Sequence, residues 1–137
     1  MKHLIPFAIA ALFASSLAQA ADLTVEVAGL KDAKGQVLVA VYDRADTFLK
    51  QPMRAAMTAA QAGKVQLVIS DLPAGDYAVT VFQDRNDNGA LDTNPVGMPI
   101  EPYGFSNDAA GRMGPPSFEQ ARVRLAESGS QTTIHLR

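Results

Sequence analysis

The segment that begins at Asp84 carries oxygen-bearing side chains at a regular spacing. They stand at relative positions 1, 3, 5 and 9 and belong to Asp84, Asn86, Asn88 and Asp92. Calcium takes about six to eight oxygen ligands, and this spacing wraps alternate side chains around one point while Gly89, at position 6, makes the sharp turn. The carbonyl of Ala90, at position 7, adds a ligand. The sequence therefore predicts a calcium-binding loop from which Asp87 points away.

This loop departs from the full calcium pattern at position 12, where Pro95 replaces a bidentate glutamate. Glu101 or Asp108 would have to fold back to supply that ligand. Because only two ligand positions hold carboxylates, the expected affinity is that of the weak extracellular class. The alternative is an Asn/Asp/Gly turn whose side chains bond their own backbone, with the bend at residues 88–89. Asp84 is expected at the loop tip, with little contribution to the core.

Few residues are candidates for acid–base catalysis. His135 is the only histidine after residue 20, and strand alternation places it on a polar face without a nucleophile beside it. Asp92 with Glu101 is compatible with a carboxylate pair of glycosidase type. The chain has no cysteine, which excludes disulfides, a thiol nucleophile, thiolate zinc sites and a lipidated cysteine. The sequence assigns no catalytic residue and favours a protein that is not an enzyme.

The calcium candidates open a long segment, residues 84–119, that differs from the rest of the chain. It contains five of the 8 prolines and five of the 10 glycines, so it is not regular sheet. Structureless connections beyond about 12 to 15 residues are usually functional or disordered. Order is favoured here because the segment has apolar side chains to bury, namely Met98, Ile100, Tyr103, Phe105, Met113 and Phe118. We therefore predict one long ordered surface loop.

Short alternating segments on both sides of this loop predict β-strands. They cover residues 21–30, 36–43, 53–60, 63–70, 77–82, 121–125 and 133–137. Residues 53–60 are compatible with helix or strand, and their position between turns favours strand. The pattern predicts one all-β domain, an antiparallel immunoglobulin-like or transthyretin-like β-sandwich of about seven strands. Its predicted core comprises Val25, Val39, Val41, Leu67, Ile69, Val79, Val81, Val123 and Ile134.

Three local features refine this prediction. Residues 36–43 are apolar on both faces, which is typical of a strand in the centre of its sheet. Residues 71–76 are predicted to form a tight turn that joins the flanking strands into a hairpin. Residues 44–51 are compatible with one helical turn capped by Asp46 and closed by Pro52.

Residues 1–20 have the three-part layout of a secretory signal. Lys2 precedes an apolar run from Leu4 to Leu17, which is short for a membrane span, and Ala18-Gln19-Ala20 follows as a cleavage pattern. An uncleaved membrane anchor is the alternative. Cleavage after Ala20 leaves 11 Lys and Arg against 14 Asp and Glu, a formal charge of −3, and no basic patch that would attract nucleic acid. We expect a periplasmic or secreted bacterial protein with residues 21–137 as its domain.

Two resemblances extend this interpretation. The D-x-N-x-N-G-x-x-D loop at 84–92, the G-x-P-x-E-x-Y-x-F-S phrase at 97–106 and the G-P-P-x-F phrase at 114–118 resemble the bacterial secreted family called domain of unknown function (DUF) 2141. The Leu-Pro-x-Gly-x-Tyr phrase at 72–77 resembles transthyretin-like and carboxypeptidase-regulatory-like sandwiches, which bears on topology and not on activity.

The first resemblance implies export and a second set of site residues for a ligand or partner. These match the family phrases and are Glu101, Tyr103, Phe105, Ser106, Pro115, Pro116 and Phe118. The alternative role of this set is packing, with the three aromatic residues as anchors under the loop and Ser117 capping a turn with Gln120.

Three functions therefore remain open. The first is a non-catalytic binding or structural module of the cell envelope, which uses the loop to recognise an envelope protein or a small ligand, with calcium as its one predicted cofactor. The second is a carboxylate-dependent hydrolase that acts on an envelope substrate. The third is an accessory domain that docks on an outer-membrane partner.

Overall fold

The computed structural model describes residues 20–137, and apart from Ala20 the predicted signal lies outside them. The described chain is an all-β sandwich of two packed sheets, as predicted. Its eight strands are β1 (Ala20–Leu30), β2 (Gln36–Tyr42), β3 (Arg54–Ala59), β4 (Gly63–Pro73), β5 (Gly75–Asp84), β6 (Tyr103–Phe105), β7 (Arg122–Leu125) and β8 (Ser130–His135). A 3-10 turn (Ser106–Asp108) and a short helix, α1 (Phe118–Ala121), accompany them. No helix of residues 20–137 is long and apolar enough to cross a membrane.

The two sheets differ in size and pairing. The smaller has the order β4-β1-β8, in which β1 pairs antiparallel with β4 and parallel with β8. The larger has the order β3-β2-β5, and the second edge of β5 pairs with β7 at one end and with β6 at the other. The sandwich is therefore antiparallel except for the β1–β8 pair.

Side chains that alternate along the strands fill the space between the sheets. Val25 and Ile134 come from the smaller sheet, and Val39, Val79 and Val81 from the larger, and all five are buried in one cluster. Val41, Leu67 and Ile69 are buried there too, so eight of the nine predicted core residues are confirmed. Val123 is only half-buried because β7 lies at the margin of its sheet, and Leu125 is the β7 residue in the core.

The predicted hairpin over residues 71–76 is wrong. β4 pairs with β1 in the smaller sheet, whereas β5 lies in the larger sheet. Both edges of β5 are occupied, one by β2 and the other by β6 and β7, so no edge is left for β4. The chain instead crosses from one sheet to the other, and the Tyr77 hydroxyl donates a hydrogen bond across this corner to the carbonyl of Pro73.

A second apolar cluster covers one end of the outer face of the larger sheet. The Tyr42 and Phe48 rings lie 5.3 Å apart and the Phe48 and Phe118 rings 6.0 Å apart, both edge to face. β2 lies between β3 and β5 in the centre of its sheet, as its apolar outer residues indicated. The second cluster covers Tyr42, one of those outer residues. Residues 44–51 form hydrogen-bonded turns without a capped helix, since Asp46 pairs with Arg44 at 2.6 Å instead of capping.

Val79→Asp tests the strand assignment, because Val79 is fully buried between the sheets. The substitution buries an unpaired carboxylate, so we expect the free energy of unfolding to fall by about 3 to 5 kcal/mol in urea denaturation. The matched control is Val68→Asp on β4, where the side chain is 54% exposed and a change within about 0.5 kcal/mol is expected. A Val79→Asp protein that unfolds like the parent would contradict the described core.

Candidate functional site

Asp84 ends β5 and is fully buried. Its Oδ1 accepts a hydrogen bond from the N–H of Asn88 at 3.2 Å, and its Oδ2 accepts one from the N–H of Gly89 at 2.7 Å. Gly89 has φ +77°, a conformation that glycine adopts without strain. Asp84 therefore lies at the base of the loop and not at its tip as predicted, because it belongs to a central strand and the following residues curl back over its carboxylate.

Glu101 is a second buried anchor, 7% exposed. One carboxylate oxygen accepts the N–H of Arg85 at 2.7 Å and the other accepts the N–H of Asp92 at 2.9 Å. Of the two acids predicted to fold back towards the loop, Glu101 is the one that does so. Its carboxylate therefore ties the backbone at residue 85 to the backbone at residue 92.

The carboxylate of Asp92 accepts hydrogen bonds from the side chains of Asn86 and Asn88. The Nδ2 groups of Asn86 and Asn88 lie 2.6 and 2.7 Å from its carboxylate oxygens. Asn88 Oδ1 also accepts the N–H of Ala90 at 3.1 Å, as expected when turn side chains bond their own backbone. The structure thus brings the predicted ligands Asp84, Asn86, Asn88 and Asp92 into one turn. Within residues 20–137 no group of three or more His, Asp or Glu side chains is placed to hold a metal.

A polar network that sequence reasoning missed supports this turn from the β1–β2 connection. Gln83 is buried, and its Nε2 donates to the carboxylate of Asp32 and to the carbonyl of Lys34, both at 2.9 Å. Arg85 forms an ion pair with Asp32. The hydrogen bond from the N–H of Lys34, reinforced by Gln83 and Arg85, lowers the pKa of Asp32. The one sequence signal for this network was a glutamine directly after the predicted strand of residues 77–82.

Residues 92–100 form a small hairpin, which we call the apolar hairpin. Ile100 N–H donates to the Asp92 carbonyl at 2.9 Å, and Asn94 N–H donates to the Met98 carbonyl at 2.8 Å. The side chain of Asn94 closes the tip, because its Oδ1 accepts the N–H groups of Val96 and Met98. The hairpin is therefore ordered by polar contacts, with Gly97 at φ +82° in its turn.

The side chains of the apolar hairpin face solvent. Val96 is 81%, Met98 59% and Ile100 63% exposed. Met113, further along the segment, is also exposed. The prediction that Met98, Ile100 and Met113 are buried is wrong, because hydrogen bonds to backbone groups, and not apolar burial, give this part of the chain its order.

An apolar groove of about 190 Å³ lies on the outer face of β5 and β6. Its walls include Phe82, Tyr103 and Phe105, which are half-buried. Leu49 follows β2 and Leu91 follows β5, and since these strands are antiparallel the two leucines approach the groove from opposite ends of the sheet. Tyr103 and Phe105 are in edge-to-face contact at 6.0 Å. The structure thus places these two predicted site residues in one surface depression.

The other residues of the second predicted set, apart from Glu101, follow β6, and three of these four are buried. Ser106 is buried, accepts the N–H of Val79 at 2.9 Å and donates to the carbonyl of Ala121. Phe118 belongs to the cluster with Phe48, and Pro116 is buried while Pro115 is exposed. Ser117 and Gln120 form a reciprocal capping box at the start of α1, as predicted. Ser106, Pro115, Pro116 and Phe118 are thus separate from the turn of Asp84.

Asp108 holds the end of β8 instead of the turn at Asp84. Its carboxylate accepts the N–H of His135 and contacts the ring Nδ1, each at 2.8 Å. Partial burial acts to raise the pKa of Asp108, but the two hydrogen bonds from His135 outweigh it, and the pKa lies below its ordinary value. His135 is exposed on the outer face, as its strand alternation indicated.

Comparison with known proteins gives one match. The model of a family described as "Uncharacterized protein conserved in bacteria (DUF2141)" matches residues 25–134. Searches of the curated proteins and of the solved structures found no match. The matched range includes both buried anchors, the apolar hairpin and the groove.

Glu101→Gln tests the anchoring of the loop. An amide offers one acceptor where the carboxylate offers two, so one of the N–H groups of Arg85 and Asp92 loses its partner. We expect the free energy of unfolding to fall by about 1.5 to 3 kcal/mol. The matched control is Glu119→Gln, an exposed residue paired with Arg122, for which about 0 to 1 kcal/mol is expected. Equal urea midpoints for Glu101→Gln and the parent would show that Glu101 is not an anchor.

Proposed function

We propose that this chain, which belongs to the bacterial DUF2141 family, is an exported, non-catalytic binding or structural module of the cell envelope. The observation that carries the proposal is a contrast within one segment. Two buried carboxylates, Asp84 and Glu101, fix the loop, while the apolar side chains that the loop presents remain exposed. Exposed apolar groups on a rigid support are typical of interaction surfaces. We also propose that the sandwich is related to the transthyretin-like and carboxypeptidase-regulatory-like domains.

The engagement of the candidate catalytic groups favours a non-catalytic role over a hydrolase. A general acid needs a carboxyl group free to transfer a proton, whereas both oxygens of Glu101 accept backbone N–H groups. His135 contacts Asp108, and among residues 20–137 no serine or threonine hydroxyl is hydrogen-bonded to its ring.

The turn from Asp84 to Asp92 is proposed to bind calcium weakly. Support comes from the contacts of the Asn86 and Asn88 side chains with Asp92. The N–H groups of Asn88 and Gly89 also bond to Asp84 and so curl the chain back over that carboxylate. Each carboxylate or amide oxygen that accepts one N–H keeps a second lone pair for a ligand. Binding requires Asn86 and Asn88 to turn amide oxygens towards the ion in place of the amide nitrogens that now face Asp92.

Asp92→Asn is the variant that tests calcium binding. Asp84→Ala is unsuitable because it removes a buried anchor, whereas Asp92 is half-exposed. At a hundredfold excess of calcium over its dissociation constant, the parent should gain about 2.7 kcal/mol, visible as a higher melting temperature. Magnesium should do much less, because it demands small octahedral geometry and retains its waters.

Asp92→Asn should lose this shift. The control Asp87→Asn, at an exposed neighbouring residue, should keep it. If calcium at up to about 100 mM, a hundredfold excess over the weakest expected dissociation constant, leaves the melting temperature of the parent unchanged, the calcium proposal fails. The hydrogen-bonded turn is then sufficient by itself.

Export is proposed from the signal pattern of residues 1–20, which predicts cleavage after Ala20. Protein recovered from the periplasm of a bacterium that expresses the full chain should have the intact mass of residues 21–137. Recovery of the chain only with residues 1–20 still attached would defeat this proposal.

A further inference from the structure

The apolar hairpin offers convex apolar side chains in a fixed position. Val96, Met98 and Ile100 are each more than half exposed. The tip is closed by Asn94 and the base is held by the bond between Glu101 and the N–H of Asp92. Because the hairpin is already ordered, a partner that covers it loses little conformational freedom.

The groove offers a concave apolar surface, and Leu91, one of its lining residues, directly precedes the apolar hairpin. Its volume of about 190 Å³ is below the range of about 300 to 1,000 Å³ that is usual for clefts that hold drug-sized ligands. It suits one large apolar side chain. Leu49, at one end, is partly exposed and has φ +63°, a conformation that is costly for a bulky residue and that is found at sites where chains are clamped.

Opposite charges mark the two ends of the groove. Lys50 follows Leu49 at one end, and Asp92 follows Leu91 at the other, where the apolar hairpin begins. Neither Lys50 nor Asp92 forms an ion pair within residues 20–137. A two-fold axis that lies between the two faces and perpendicular to the groove exchanges these ends. It brings the hairpin end of one copy, with Asp92, over the Leu49 end of the other, with Lys50.

We infer that the apolar hairpin of one copy seats in the groove of a second copy, and that the two contacts are reciprocal in a two-fold dimer. The inference rests on the recognition surface proposed above and names its partner. The convex and concave apolar surfaces adjoin at Leu91 and Asp92, and the charges at the groove ends are complementary in the rotated orientation. A reciprocal contact closes on itself, so association stops at the dimer.

Sedimentation velocity of the purified protein over a wide range of concentration tests this inference. The parent should pass from monomer to dimer as its concentration rises. Met98→Lys, an exposed substitution that leaves the core intact, should raise the dissociation constant of the dimer at least about tenfold, because it places a charge in the apolar contact. Val68→Lys, equally exposed on the other sheet, should dimerise like the parent.

The orientation has its own variant. Lys50→Glu places a carboxylate opposite Asp92 of the second copy, so it should weaken the dimer, and the weakening should diminish as salt is added. A parent that stays monomeric at every concentration, or a Met98→Lys protein that dimerises as well as the parent, would overturn the inference. If the protein stays monomeric but calcium still stabilises it, only the dimer is contradicted. The proposed function then stands with a partner other than a second copy.

Discussion

Two carboxylates buried without a cation control the path of the loop. Asp84 and Glu101 form no ion pair within residues 20–137. Asp84 accepts hydrogen bonds from the N–H groups of Asn88 and Gly89 and, at 3.4 Å, from Nε2 of Gln36. Glu101 accepts the N–H groups of Arg85 and Asp92. Burying a charge is unfavourable unless such hydrogen bonds compensate, and bonds to an ionised acceptor are about twice as strong as neutral ones. The loop therefore has one low-energy path around these two groups.

This arrangement separates the residues that stabilise the fold from the surface that we propose for recognition. The inner faces of the sheets hold the apolar core, and the cluster of Tyr42, Phe48 and Phe118 covers one end of the outer face. The rest of the outer face is left for the groove and the apolar hairpin, which contribute little to the core. Substitutions at Val96 or Met98 should thus alter the proposed contact without altering whether the chain folds.

The sequence predicted the architecture where the cause is local. Alternation of apolar and polar residues gave the strands and the sandwich, and the Ser117 and Gln120 pattern gave the cap of α1. The partners of each strand are a non-local property, so the turn signal at residues 71–76 led to a hairpin although β5 had no free edge for β4.

The loop was misjudged in a similar way. Composition favoured burial of Met98 and Ile100, whereas its order comes from Asp84, Glu101 and Asn94, whose contacts span many residues.

Native-state hydrogen exchange, followed by nuclear magnetic resonance, is the most direct test of the two buried anchors. The amides of Arg85, Asn88, Gly89 and Asp92 lie in a loop, where exchange is ordinarily fast. If the anchors act as described, these four amides should be protected well above the neighbouring amides of Asn86 and Leu91. Glu101→Gln should release at least one of Arg85 and Asp92 while Gly89 remains protected. Exchange of all four amides at the rate of an open loop would contradict the account.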